Sequence, residues 1–159
     1  MAEISPRFSQ NTAIFESVMK EIPNKTVRKL YHVHWASEPH ALAGLKGKNW
    51  CALVYLDKFS AKAHKQLVKE VVNAEPLFVY CVCSNFNDLE EMVVDELCAQ
   101  FDGDLDDDES ATVSTFADND LKGAIQFCLE SAFHAEKEIE EVYIVDVNNT
   151  PLEKLPFTL

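Results

Sequence analysis

Residues 50–83 read WCALVYLDKFSAKAHKQLVKEVVNAEPLFVYCVC, and this stretch decides the fold class. Its two ends, WCALVYLD and PLFVYCVC, are short, rich in β-branched and aromatic residues, and almost continuously apolar, as expected of strands covered on both faces. Between them, Ala63, Leu67, Val71 and Val72 recur at helical spacing behind Ser60, which suits an N-cap. Strand, helix and strand in this order make a βαβ unit. A unit of this kind feeds a parallel sheet through a right-handed crossover.

The pattern continues outward in both directions. NDLEEMVVDELCAQF (87–101) repeats the helical stripe with Leu89, Val93, Leu97 and Phe101, and Asn87 with Glu90 has the spacing of a capping box. NDLKGAIQFCLESAFH (119–134) adds a further helix, opened by Asp118 and Asp120, whose charges suit a helix amino end. KTVRKLYHVHW, ATVSTFA and EVYIVDV read as strands, and ASEPHALAGLKGKN as a crossover with at most a turn or two of helix. NTAIFESVMKEI (11–22) reads as an amphipathic helix ahead of the first strand. The expectation is one α/β domain over 1–159: a three-layer α-β-α arrangement with a five-stranded, mainly parallel sheet. Strands are expected near 26–34, 50–57, 76–83, 111–116 and 142–147, with an N-terminal helix within 1–25 and a surface tail over 148–159 anchored by Leu155 or Phe157.

WCALVYLDKFSAKAHKQLVKEVVNAEPLFVYCVCSNFNDLEEMVVDE, followed by TVSTFADNDLKGAIQFCLESAFHAEKEIEEVYIVDV, resembles a small bacterial family of Rossmann-like α/β proteins of unknown function, over about residues 50–147. The resemblance implies the fold and a bacterial source. It supplies no activity.

Charge is divided unevenly along the chain. Residues 1–84 hold eleven Lys or Arg against seven Asp or Glu, and residues 85–159 three against twenty, which together give the net −13. From Asn85 through Leu121 there are thirteen acidic residues and no basic one. Such a half repels nucleic acid and anionic lipid and attracts a cationic protein surface. The densest run is FDGDLDDDES (101–110), with Asp102, Asp104, Asp106, Asp107, Asp108 and Glu109. Its first half has calcium-loop spacing, but Asp107 and Val113 stand where such a loop needs Gly and Glu. The run is therefore read as a solvated loop or as an anionic docking surface.

The carboxyl ends of parallel strands, where α/β enzymes bind their ligands, would gather His34, Asp57, Lys58 and Asp118. With Gly44, Gly47, Gly103 and Gly123 alone, no strand-to-helix turn makes a phosphate cradle. His32 and His34 share a strand face and could begin a zinc site, but no third ligand is evident, and Cys81 and Cys83 fit core packing. Neither a cofactor nor a metal is expected. The odd number of cysteines, five, fits a reducing cytosol, and no signal peptide or membrane span is evident.

Two functional expectations result. One is a small acidic cytoplasmic binding protein of the immunity or antitoxin type, docking a basic partner such as a nuclease-like toxin through the 101–110 carboxylates. The other is a small-molecule enzyme or sensor using His34, Asp57, Lys58 and Asp118.

Overall fold

The computed structural model describes residues 19–35, 41–100, 113–148 and 154–155. A six-stranded mixed sheet organises them. In chain order the strands are β1 (Met19–Ile22), β2 (Lys29–His34), β3 (Trp50–Tyr55), β4 (Phe78–Val82), β5 (Ser114–Asp118) and β6 (Glu141–Asp146). The helices are α1 (Ala61–Asn73), α2 (Phe86–Gln100) and α3 (Leu121–Glu130), and a 3₁₀ turn, Ala41–Leu45, lies in the β2–β3 connection. Spatially the order is β1-β2-β6-β3-β4-β5, parallel throughout except for β1, which runs antiparallel to β2.

The sixth strand corrects the five-stranded expectation, and it forms where a helix was expected. Met19 and Ile22 are both buried at a spacing of three, which a helix would satisfy on one face. Here they enter opposite faces of the sheet, as an odd spacing along a strand requires. Pro23 is the local reason, since the residue before a proline is pushed out of the α region. The turn that follows is held by Asn24, whose Oδ1 accepts from Thr26 N at 2.8 Å and whose Nδ2 donates to the Arg28 carbonyl at 3.1 Å. Residues 1–18 of the expected N-terminal helix lie outside the described residues.

β3 and β4 are buried on both faces along almost their whole length, as their apolar runs predict. On one side Trp50, Ala52 and Val54 of β3 meet Leu67, Val68, Val71 and Val72 of α1 and Leu89, Val93 and Leu97 of α2. On the other, Cys51 and Leu53 meet Ala124, Ile125, Cys128 and Leu129 of α3, with Leu155 of the tail. The division follows from handedness. β3 to β4 and β4 to β5 step one way across the sheet, whereas β5 to β6 steps back, so a right-handed crossover puts α3 on the opposite face.

Local signals account for the helix ends. Ser60 caps α1, its side chain accepting from Ala63 N at 3.4 Å, and Asp120 caps α3, its Oδ1 accepting from Gly123 N at 3.2 Å. A Cβ at residue 123 would lie 2.5 Å from Asp120 Oδ2, so any other residue there would have to displace the capping carboxylate. Arg28 closes the other end of α3, donating to the carbonyls of Cys128 and Ala132 at 2.7 Å each. The box expected at Asn87 does not form: α2 starts at Phe86, and Glu90 instead accepts from the Thr115 hydroxyl of β5 at 2.8 Å.

Candidate functional site

The carboxyl end of the sheet is built by register. On the α3 face, pairing puts His34 beside Asp146, Asp146 beside Tyr55, Tyr55 beside Val82, and Val82 beside Asp118, a row across β2, β6, β3, β4 and β5. His34 and Asp118 therefore stand at opposite ends of four strand spacings, roughly 19 Å at ~4.8 Å each. Asp57 and Lys58 follow β3 and are exposed. The structure places all four residues on the expected rim and does not gather them into one small pocket.

Most polar groups of this rim hold the loops to one another. Asn85 Oδ1 accepts from Phe59 N at 2.7 Å, and its Nδ2 donates to the Phe59 carbonyl at 2.8 Å, tying the β3 and β4 exits together. Asn148 Oδ1 accepts from Asp57 N at 3.2 Å. At the β4–β5 end, Tyr80 donates to Asp118 Oδ2 at 2.7 Å while Asp118 Oδ1 accepts from Asp120 N at 3.0 Å. Burial, then the carboxylate it faces, raises the Tyr80 phenol well above the ordinary tyrosine range, so Tyr80 remains a donor.

The feature missed in sequence is a buried pair. His32 and Asp146 are both fully buried, and His32 Nε2 lies 2.8 Å from Asp146 Oδ2. The Nε2–H tautomer makes this bond, and His32 Nδ1 then has no hydrogen-bond partner among the described residues. The His34 ring stands edge-on to His32 with centroids 4.5 Å apart, so the two imidazoles do share a face, as their alternation predicts. Asp146 also accepts from Asn148 N at 2.8 Å through Oδ1. The available signal was one acid ending an apolar strand, EVYIVD, which a strand in the centre of a sheet buries. Among the described residues, no three His, Cys, Asp or Glu side chains are arranged to hold a metal ion. Cys81 and Cys83 are buried in the α1–α2 side of the core, and burial pushes the Cys81 thiol well up.

A second region is anionic. Asp102, Asp104, Asp106, Asp107, Asp108 and Glu109 lie outside the described residues. The helix leading to them, α2, exposes Asp88, Glu91 and Asp95. With Phe59, Ala61 and Met92, these three line an open cleft of about 350 Å³ at the amino end of α1. None of the three carboxylates is ion-paired among the described residues; Asp88 accepts only a long bond, 3.4 Å, from Asn85 Nδ2.

A family model described as a domain of unknown function, DUF7684, matches residues 30–155. The chain belongs to this family. No curated protein and no solved structure matches it. The DUF7684 match begins inside β2 and takes in the rest of the parallel sheet, the three helices and buried Leu155, whereas antiparallel β1 lies outside it. No helix among the described residues is long and apolar enough to cross a membrane.

Proposed function

We propose that the protein is a small acidic binding protein that docks a basic partner protein. The α2 carboxylates that have no ion-pair partner among the described residues carry the reading. Asp88, Glu91 and Asp95 are solvated on a helix whose acidic residues face no Lys or Arg within the whole run Asn85–Leu121, so their neutralisation must come from another part of the chain or from a partner. Asp102, Asp104, Asp106, Asp107, Asp108 and Glu109 continue the acidic run in sequence, and such an excess of negative charge accelerates encounter with a cationic surface. A partner of the nuclease-like toxin type presents such a surface in its nucleic-acid groove, and the protein then acts as an immunity or antitoxin component of a bacterial cytoplasm. Five free thiols suit that reducing compartment.

The rim reading, a small-molecule enzyme or sensor using His34, Asp57, Lys58 and Asp118, is weakened by their spread across the sheet. The test is association with a catalytically inactive basic nuclease across a salt series. Wild type should associate fast at low salt. Asp88→Asn/Glu91→Gln/Asp95→Asn and Asp106→Asn/Asp107→Asn/Asp108→Asn should each slow the on-rate, and all three proteins should converge at high salt, where the Debye length falls to ~3 Å at 1 M. Association rates indifferent to both sets of substitutions would end this reading.

A further inference from the structure

Among the described residues, the large apolar side chains that remain exposed are not scattered. They are Val27 at the tip of the β1–β2 turn, and Val94, Phe116 and Phe133, which are 39%, 43% and 56% exposed. The last three flank a single strand, β5. Phe116 lies at its centre, on the α3 face, stacked on Phe127 at 4.7 Å between centroids. Phe133 reaches Phe78, the β4 residue paired with Ser114 at the start of β5, at 6.2 Å. Val94 is one helical turn beyond Glu90, the residue bonded to Thr115, and so stands on the opposite face of the same edge.

Among the described residues the edge itself is open to pairing: β5 pairs with β4 alone. The Val82 carbonyl accepts from Leu56 N on the β3 side, so by alternation the main-chain groups of Cys81 point to β5. Parallel pairing of Cys81 with Ala117 then turns the N–H and C=O of Thr115 and Ala117 outward. The strand has no proline, and its central Thr115, Phe116 and Ala117 carry no charge. The opposite edge is protected in the usual way: β1 is four residues long with exposed Lys20 and Glu21 at its centre. Among the described residues, one edge is blunted and the other is not.

We propose that β5 is a docking edge at which an extended, basic segment of a partner protein adds as a seventh strand. The proposal rests on the reading of the protein as an acidic binder and supplies the mode of contact. Strand addition uses main-chain hydrogen bonds for affinity and alternate side chains for specificity. On the α3 face the incoming side chains meet Phe116, Phe127 and Phe133 and must be apolar. On the α2 face they meet Val94 and the carboxylate of Glu90. Lys or Arg fits there, laying its aliphatic stem on Val94 and its charge on the Glu90 carboxylate. Charge also selects against a second copy. Antiparallel β5–β5 pairing about Phe116 would set Phe116 against itself, but it would bring two acidic α2 helices together in a chain of net charge −13.

The probe is a fluorescein-labelled peptide, Lys-Val-Lys-Phe-Lys-Val-Lys, compared with the same peptide methylated at every backbone nitrogen. Wild-type protein should bind the first and slow amide exchange at Thr115 and Ala117. The methylated peptide, which keeps charge and side chains but lacks the N–H donors, should bind at least ~10-fold more weakly. Ala117→Pro removes one outward N–H, and Phe116→Lys with Val94→Lys places charge on both flanks; each should weaken the unmethylated peptide similarly, the lysine pair keeping a test available if the proline variant fails to fold. Equal binding of the two peptides, or unchanged exchange at Thr115 and Ala117, overturns strand addition. If the basic nuclease still associates in a salt-dependent way, only this inference has failed; if it does not, the underlying reading has failed too. A dimer of the chain alone in sedimentation, dissociated by Phe116→Lys, would assign the edge to a second copy and overturn the proposal.

Discussion

Replacing Asp146 by Ala should be among the most destabilising single changes available in this protein. The carboxylate is fully buried at the end of the central strand β6, with the His32 imidazole 2.8 Å from one oxygen and Asn148 N 2.8 Å from the other. Alanine leaves the His32 Nε2–H in the core without its acceptor, at about 1–3 kcal/mol, and removes a charge-assisted bond to Asn148 N, at about 1.5–3 kcal/mol. The sum, about 2.5–6 kcal/mol, brackets the usual penalty of about 3–5 kcal/mol for removing one member of a buried pair. For a chain of 159 residues this lowers Tm by about 10 °C, and it should lower the urea midpoint without changing the m-value. His32→Phe should cost less when Asp146 is already Leu than in wild type, because the double variant leaves neither partner stranded. A loss below about 1 kcal/mol for Asp146→Ala, or strict additivity of the two changes, would show that the pair does not stabilise the sheet as argued.

Thiol chemistry gives an independent check on the core: in the native protein half-buried Cys98 should react first with an aromatic disulfide reagent, and Cys51, Cys81, Cys83 and Cys128 only as the chain unfolds. Glu75 follows α1 with φ of 57°, a left-handed position that favours glycine, so Glu75→Gly should raise stability by about 0.5–1 kcal/mol in urea titration. Tyr31, Tyr80 and Tyr143 all have phenols raised by burial first, with carboxylates next to each adding to it. Unfolded tyrosines release protons near pH ~10 while these folded ones retain them, so the stability they contribute is present below that pH and is lost as pH rises above it. Absorbance titration should show delayed ionisation, and Asp118→Asn should bring the Tyr80 transition down.

How much of this could be read from the residues depends on where each signal resides. The βαβ unit was legible because β3 and β4 are apolar on both faces and α1 carries one clean stripe behind Ser60. The first strand was not, because Met19 and Ile22 satisfy a helix and a two-faced strand equally, and only Pro23 distinguishes them. Asn87 and Glu90 have the spacing of a capping box, yet Glu90 is used by Thr115, a residue 25 positions away, and no local pattern reports that. The rim residues His34, Asp57, Lys58 and Asp118 were placed correctly on their strand ends, but their separation depends on strand order, which periodicity does not encode. His32 and Asp146, separated by 114 positions, become neighbours only because β6 lies beside β2.

The position of β6 has a consequence for biosynthesis. Last of the six strands to be made, it is flanked by β2 and β3, pairing residue for residue with both. A chain still emerging from the ribosome can assemble β3, β4 and β5 as a block and β1 with β2 as a hairpin, but it has nothing to join them until residues 141–146 arrive. Until then β2 and β3 both present open edges, each able to recruit the wrong strand. Strand β6 therefore acts as a keystone, and a chain truncated before it would be left with two unjoined halves rather than as a slightly shortened protein.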